Sequence, residues 1–154
     1  MTKFHQGKFS PRNPRKYEGN PTDIVFRSSW EYSFMYFCDT NDGIRAWSSE
    51  KIVIPYISPV DNDVHRYFVD FKVTFSKGQV WLVEIKPNKQ TKEPKVKKKV
   101  SKSYITEVVT HAINKAKWEA ADLYAKKKGW TFKVLTEESL ATMGIQVMTN
   151  FPNK

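Results

Sequence analysis

Three charged residues interrupt two segments that otherwise have the composition of buried β-strands. Asp70 lies in the aromatic run RYFVDFKVTF, and Glu84 and Lys86 end the apolar run VWLVEIK. Side chains alternate between the two faces of a strand, so Glu84 and Lys86 are expected to point the same way. Buried charges cost free energy unless they pair or bind a ligand. The pattern therefore predicts a functional site where these strands end.

Whether Asp70 meets Glu84 depends on the turn between the two predicted strands. A two-residue turn would leave Glu84 on the face opposite to Asp70, because side chains alternate with a period of two. A three-residue loop over residues 76–78 would pair the two carboxylates directly. Such loops commonly end in a left-handed residue, a position that favours glycine, and Gly78 stands there. A bulge elsewhere in the hairpin would have the same effect.

The chemistry expected of this set is metal-assisted hydrolysis. Two carboxylates a few ångströms apart repel one another unless a proton or a cation lies between them. The carboxylates of Asp70 and Glu84, waters and the main-chain carbonyl of Ile85 are ligands that suit Mg²⁺ or Mn²⁺. Lys86, one step along the same face, would reach an attacking water or a phosphate oxygen. Together they predict a site for phosphodiester hydrolysis.

This ordered set resembles the motif of the PD-(D/E)xK nuclease superfamily, which has the restriction-endonuclease-like fold. Asp70, Glu84 and Lys86 match the motif residue by residue, with Val69 where the motif's name has proline. The resemblance implies that Asp70 and Glu84 bind the metal and that Lys86 positions or activates the water.

Glu31 is a fourth candidate for the catalytic site. It lies in RSSWE, which resembles the start of the first helix of this superfamily, where a glutamate often completes the metal site or orients its water. The alternative is structural: Ser28 and Glu31 have the spacing of a capping box, in which the glutamate bonds back to the helix N-terminus.

Hydrophobic periodicity predicts an α/β or α+β domain with the element order α-β-β-β-α-β-α. The long second helix would pack on a mixed sheet of about four strands, and this order is that of the superfamily's common core. We expect the first helix to begin after Ser28 and end at 41–43, strands over 46–57, 66–75, 79–86 and 130–135, the long helix over about 105–128, and a short last helix opening at 136–138.

Basic residues are concentrated in two segments. The formal net charge is +10, with five basic residues against Glu18 in residues 1–21 and eight lysines against Glu93 in residues 86–102. Such segments are typical of proteins that bind nucleic acid, although a solvated basic surface has the same composition. We therefore predict a basic extended arm over residues 1–23 and a single nuclease domain over residues 24–154, with a mobile basic loop over residues 87–103.

The residues expected to contact DNA phosphates come from both segments and from two flanking arginines. Arg27 and Arg66 could instead pair with surface acids. The full predicted set is Lys89, Lys92, Lys95, Lys97, Lys98, Lys99, Lys102, Arg27, Arg66, Arg12, Arg15 and Lys16.

A longer resemblance extends over most of the chain. The segments GKFSPRNPRKYEG, RSSWE, HRYFVDF, EIKPNKQT and WEAADLYAKKKGWTFKVLTEE are similar to the head completion nucleases of contractile-tailed phages and, more distantly, to transposon end-cleaving endonuclease subunits. The resemblance implies an Mg²⁺-dependent DNA endonuclease that processes packaged DNA ends before tail attachment. It also implies portal or neck proteins as partners, and a location in the host cytoplasm during assembly or in the virion.

Two other function classes are weighed against this one. A catalytically silent DNA-binding adaptor of the phage head and neck would not need all four candidate residues. An RNA-binding module would leave the acidic set unexplained, and the sequence lacks an aromatic RNA-binding signature. No apolar run approaches the roughly 20 residues of a membrane span, so no membrane partner is expected.

Overall fold

The computed structural model describes residues 6–146. Residues 1–5 of the predicted arm and residues 147–154 of the predicted domain lie outside that range. The elements, in chain order, are β1 (Gly7–Lys8), a 3₁₀ turn (Pro14–Lys16), β2 (Val25–Phe26), α1 (Ser29–Thr40), β3 (Ile44–Ser49), β4 (Val53–Ile57), β5 (Val64–Phe68), β6 (Phe71–Phe75), β7 (Val80–Ile85), a second 3₁₀ turn (Asn88–Thr91), α2 (Lys102–Lys127), β8 (Thr131–Leu135) and α3 (Glu137–Thr142).

The central sheet has four strands in the order β3-β6-β7-β8. β3, β6 and β7 are antiparallel neighbours, whereas β8 runs parallel to β7. Parallel neighbours require a crossover, and α2 supplies it. The predicted mixed sheet of four strands and the α+β class are confirmed, and both are consistent with a restriction-endonuclease-like fold.

Helices cover both faces of this sheet, and each face has its own apolar cluster. On one face, Val83 packs in a cluster with Trp30 and Phe34 of α1. On the other, Leu82 packs in a cluster with Ala121 of α2. Because these two neighbours on β7 point to opposite faces, the strand is apolar on both sides until Glu84, where it reaches the edge of the α2 cluster.

The two long strands predicted over residues 46–57 and 66–75 are each broken in the structure. Both breaks lie at the same level: Glu50 adopts φ 54°, and its amide donates to the carbonyl of Asp70 at 3.0 Å. Beyond this level, β4 and β5 form a separate two-stranded sheet, and Ile54 and Tyr67 on it pack with α2. The predicted continuous strands were wrong because the chain leaves the main sheet here to cover the helix.

The turn between β6 and β7 has the three-residue register. The amide of Phe75 donates to the carbonyl of Gln79 at 2.8 Å, and the ladder pairs Thr74 with Val80 and Phe71 with Val83. Gly78 has φ 99°, a left-handed conformation that side chains with a Cβ rarely adopt. The predicted odd register is confirmed, and its next step places Asp70 opposite Glu84.

We expect Gly78→Ala to destabilise the protein by about 1 kcal/mol, the cost of a left-handed conformation for an L-residue. A Cβ at this position would meet no atom within 4 Å, so the penalty is conformational rather than steric. Urea unfolding measures it, with exposed Lys77→Ala in the same turn as the control. A stability equal to that of the control would show that the turn tolerates any residue.

The part of the basic arm that the structure describes packs on the rest of the chain. Phe9 and Tyr17 are buried, and both rings contact Trp47 edge to face, with centroids 5.9 and 4.8 Å apart. The extended arm expected over residues 1–23 therefore differs from the structure over residues 6–23. The reason is that burying large aromatic side chains is favourable, whereas an extended arm in solvent would leave them exposed.

The predicted basic loop over residues 87–103 contains more regular structure than expected at its two ends. The 3₁₀ turn occupies Asn88–Thr91, and α2 begins at Lys102 rather than near residue 105. Ser101 caps α2, since its hydroxyl accepts a hydrogen bond from the amide of Tyr104 at 3.1 Å. Residues 92–101 between them have no regular helix or strand.

Candidate active site

The start of β6 and the end of β7, the two central strands, bring the three motif residues together. Glu84 is buried at 7% exposure, and its Oε2 lies 3.5 Å from Nζ of Lys86. Asp70 Oδ2 accepts a hydrogen bond from the amide of Ile85 at 2.9 Å. The carboxylate of Asp70 is thus anchored to the strand that carries Glu84 and Lys86, because β6 begins directly after Asp70, opposite the end of β7.

Carboxylates outnumber cations around Asp70 and Glu84. The pKa of Asp70 is raised well above its usual value by desolvation, then by the neighbouring Glu84 and Glu31. The pKa of Glu31 is also raised, first by desolvation and then by Glu50 and Glu84. Both shifts mean that the negative charges lie close enough to repel one another in a poorly solvated place. A divalent cation would relieve this repulsion.

Glu31 has features of both roles considered for it. Ser28 is the N-cap of α1, and its hydroxyl accepts from the amide of Glu31 at 3.1 Å. The Glu31 carboxylate does not complete the predicted capping box, because Oε1 accepts instead from the amide of Arg27 at 2.9 Å. Its negative charge also helps to raise the pKa of Asp70. A catalytic part for Glu31 remains a prediction.

The donor set suits a hard cation that keeps part of its water shell. Within residues 6–146, no three His, Cys, Asp or Glu side chains are grouped as a ready-made cage. Mg²⁺ is usually held by one or two carboxylates, waters and substrate phosphates rather than by an all-protein cage. Asp70 and Glu84 would hold it, with Glu31 and the carbonyl of Ile85 as further oxygen ligands. The chemistry of the residues present therefore fits such an ion.

Tyr67 contacts the site, although sequence reasoning did not single it out. Its hydroxyl donates to Oε1 of Glu84 at 2.6 Å, and the tyrosine is buried at 4% exposure. Burial beside Glu84 raises the pKa of Tyr67, so the phenol stays a donor. The available signal was a tyrosine, rather than phenylalanine, three residues before Asp70: a buried hydroxyl needs a partner.

We expect Tyr67→Phe to loosen the orientation of Glu84 and so to raise the Mg²⁺ concentration needed for half-maximal cleavage by about tenfold, the value of one good hydrogen bond to a charged group. Titrating Mn²⁺ against thermal unfolding gives a reading independent of cleavage. Phe68→Leu, next to it on the exposed face, is the control. Identical metal dependence in both variants would show that the tyrosine only fills space.

The arginines and Lys16 predicted to contact DNA make protein contacts in this structure. Arg27 forms a two-point ion pair with Glu50, at 2.9 and 3.2 Å, and Arg66 stacks over Phe68. Lys16 Nζ donates to the carbonyls of Asp39 and Asn41 at 3.1 and 2.8 Å. Lys16 therefore caps the C-terminal end of α1, as cations often do.

Arg12 and Arg15 are exposed on the same N-terminal segment. The guanidinium of Arg12 lies 5.5 Å from the ring centre of Tyr36, and the Arg12 amide donates to Asp39 at 2.8 Å. DNA contacts by these residues and by the other arginines stay predictions.

The lysines of the basic loop are all exposed and lie beyond Lys86 on the chain: Lys89, Lys92, Lys95, Lys97, Lys98, Lys99 and Lys102. Lys97 reaches Glu107 of α2 at 3.3 Å. The structure thus offers these side chains to solvent. No helix within residues 6–146 is long and apolar enough to cross a bilayer.

The chain is similar in sequence to known nucleases. The family model described as TnsA-like endonuclease N terminal matches residues 41–137, a range that includes Asp70, Glu84 and Lys86 but not Glu31. A curated protein, the head completion nuclease of Enterobacteria phage T4, is 38% identical over 146 residues, covering 92% of this chain and 97% of that protein. No solved structure matches. The resemblance drawn from the motif is confirmed: the chain belongs to the TnsA-like endonuclease N-terminal family of PD-(D/E)xK nucleases.

Proposed function

We propose that the protein is an Mg²⁺- or Mn²⁺-dependent DNA endonuclease that processes the ends of packaged phage DNA during head completion, before tail attachment. The observation that carries the metal-dependent chemistry is the excess of carboxylate over cation where Asp70, Glu84 and Lys86 meet. The role in the phage rests on the extended likeness to a head completion nuclease. Its place would be the host cytoplasm during assembly or the virion, and portal or neck proteins would be its partners.

In this proposal the chain's own residues divide the work of hydrolysis. Asp70 and Glu84 would hold the cation, and Tyr67 keeps Glu84 oriented through its hydrogen bond. Lys86 donates to the attacking water or to a phosphate oxygen, where it stabilises the charge that develops in the transition state. When bound, the divalent ion polarises the phosphoryl group and lowers the pKa of a bound water.

The test is cleavage of end-labelled duplex, overhang and flap DNAs in Mg²⁺, with EDTA and Asp70→Asn as controls. Cleavage that requires the metal and Asp70 is expected. Cleavage in EDTA would overturn the metal dependence, and the absence of cleavage by wild-type protein on every DNA would leave the adaptor role instead.

Neutralising the lysine run with Lys95→Gln, Lys97→Gln, Lys98→Gln and Lys99→Gln together should weaken DNA binding and flatten its salt dependence. Each lost phosphate contact lowers the slope of log affinity against log salt by about 1. Lys97 is expected to contribute least, because Glu107 already pairs with it. Affinity measured over a salt series checks this, with exposed Lys77→Gln as the control. An unchanged slope would assign the run to solubility alone.

A further inference from the structure

A cavity of about 640 Å³ lies between the segment that follows Lys86 and the first half of α2. One wall carries the exposed cations Lys89 and Lys92. The other carries polar side chains from one face of the helix, where spacings of three and four residues put neighbours in line: Ser103, Thr106, Thr110 and Asn114. The cavity thus has a basic wall facing a row of hydroxyl and amide groups.

Asn114 marks this cavity as a place for a ligand. It is only 7% exposed, and it is the most enclosed of the residues that line the cavity. Buried amides are almost always hydrogen-bonded, because leaving one unpaired costs free energy. A polar molecule that entered the cavity would be within reach of the Asn114 amide.

The cavity adjoins the candidate active site. Lys89 is three residues beyond Lys86, so the cavity wall starts within about 10 Å of the motif along the chain. On the helix side, Lys117 lies three residues after Asn114, and its Nζ is 5.5 Å from the ring centre of Tyr67. That tyrosine bonds Glu84. The cavity therefore begins close to the end of β7 that carries Glu84 and Lys86.

We propose that this cavity holds one unpaired strand of DNA beside the scissile phosphate, so that the enzyme favours ends or junctions with a single-stranded extension. The inference rests on the proposed DNA endonuclease function and adds its substrate class. Hydroxyl groups and Asn114 would donate to phosphate and sugar oxygens, and Lys89 and Lys92 would neutralise the phosphates. The Glu107 carboxylate at the rim is already paired with Lys97.

The size of the cavity suits a single strand. Cavities of roughly 300–1,000 Å³ hold ligands of small-molecule size, which corresponds to a nucleotide or two. A duplex is about 20 Å wide, and its major groove alone is about 12 Å across. The contacts offered are to backbone groups, which position a strand without reading its sequence. The expected selectivity is therefore for DNA structure.

The experiment compares Thr110→Asp with Val108→Asp. The two native side chains have similar shape, and two residues along a helix turn them to different faces: Thr110 lines the cavity, and Val108 is exposed elsewhere on α2. Both variants add one negative charge. Binding is measured by fluorescence anisotropy in EDTA, with a blunt duplex and with the same duplex carrying a short single-stranded extension.

Thr110→Asp should weaken binding of the extended DNA by about tenfold while Val108→Asp changes it by about twofold or less, and the two variants should bind the blunt duplex alike. Equal effects of the two variants on the extended DNA, or equal losses by Thr110→Asp on both DNAs, would overturn the inference. Wild-type cleavage in Mg²⁺ is recorded alongside. If binding follows the expected pattern but the wild type cleaves no DNA, the endonuclease proposal fails and the single-strand site stands. If the wild type cleaves DNA with metal but the two variants bind the extended DNA equally, the single-strand site fails and the endonuclease proposal stands.

Discussion

Asp70→Asn is expected to abolish cleavage, by roughly 10³-fold or more, and to make the metal-free protein more stable at neutral pH. Cleavage is lost because a neutral amide is a poor ligand for a hard cation. The fold is kept because the amide oxygen of asparagine can still accept the hydrogen bond from Ile85. Stability rises because the ionised carboxyl is held against Glu84 and Glu31.

The direction of the pH dependence follows from the raised pKa of Asp70. A carboxyl whose pKa is higher in the folded state contributes stability below its unfolded pKa of about 3.9, and loses that contribution as the pH rises through the folded value. The gap in melting temperature between Asp70→Asn and wild type should therefore open as the pH increases. Added Mg²⁺ should stabilise the wild type and close the gap.

Melting temperatures over a pH series, with and without Mg²⁺, and single-turnover cleavage rates provide the measurements. Asp63→Asn removes the same charge from an exposed turn and serves as the matched control. Cleavage by Asp70→Asn at a rate near that of the wild type would show that Asp70 is not part of the catalytic site. If the difference in melting temperature between Asp70→Asn and wild type did not depend on pH or metal, the argument for a metal site from carboxylate repulsion would fail.

Lys86→Met is expected to lower the cleavage rate by about 10²–10⁴-fold while metal binding and the fold are retained. The methionine keeps most of the apolar stem, so packing changes little. What is lost is the ammonium, which lies 3.5 Å from Glu84 and is partly open to solvent at 26% exposure. No other group in that position can donate to the water or the phosphate once the side chain is apolar.

The two roles of Lys86 are separated by measuring different quantities. Single-turnover rates at saturating DNA report the chemical step, and Mn²⁺-dependent thermal stabilisation reports the metal site. Lys77→Met, in the distant hairpin turn, controls for the loss of one surface charge. A variant that cleaves at the wild-type rate would exclude Lys86 from catalysis, and one that loses metal binding as well would make Lys86 a structural partner of Glu84.

Much of the site could be predicted from local rules. Alternation along a strand placed Glu84 and Lys86 on one face, and their 3.5 Å contact agrees. The left-handed preference of glycine at Gly78 predicted the odd register that brings Asp70 opposite Glu84. Ser28 predicted the start of the first helix. Each of these depends on neighbours within a few residues or on one tight turn, where the chain has few alternatives.

The parts that were not predicted depend on groups far apart in the sequence. Nothing local shows that both long strands break beside Asp70, because the break is stabilised by packing of the β4–β5 hairpin on α2. The same packing turns Tyr67 toward Glu84, and the return of the 88–94 segment past α2 encloses Asn114.

By itself, then, the sequence predicted Asp70, Glu84 and Lys86 as one set of site residues, indicated the glycine turn that could align them, and pointed to the family of the chain. Only the tertiary structure decided which buried hydroxyl orients Glu84, which cations are already paired within the protein, and where a cavity opens beside the site. The physical reason is that periodicity and turn chemistry are properties of short segments, whereas burial and partner choice arise only when distant segments compete for the same space.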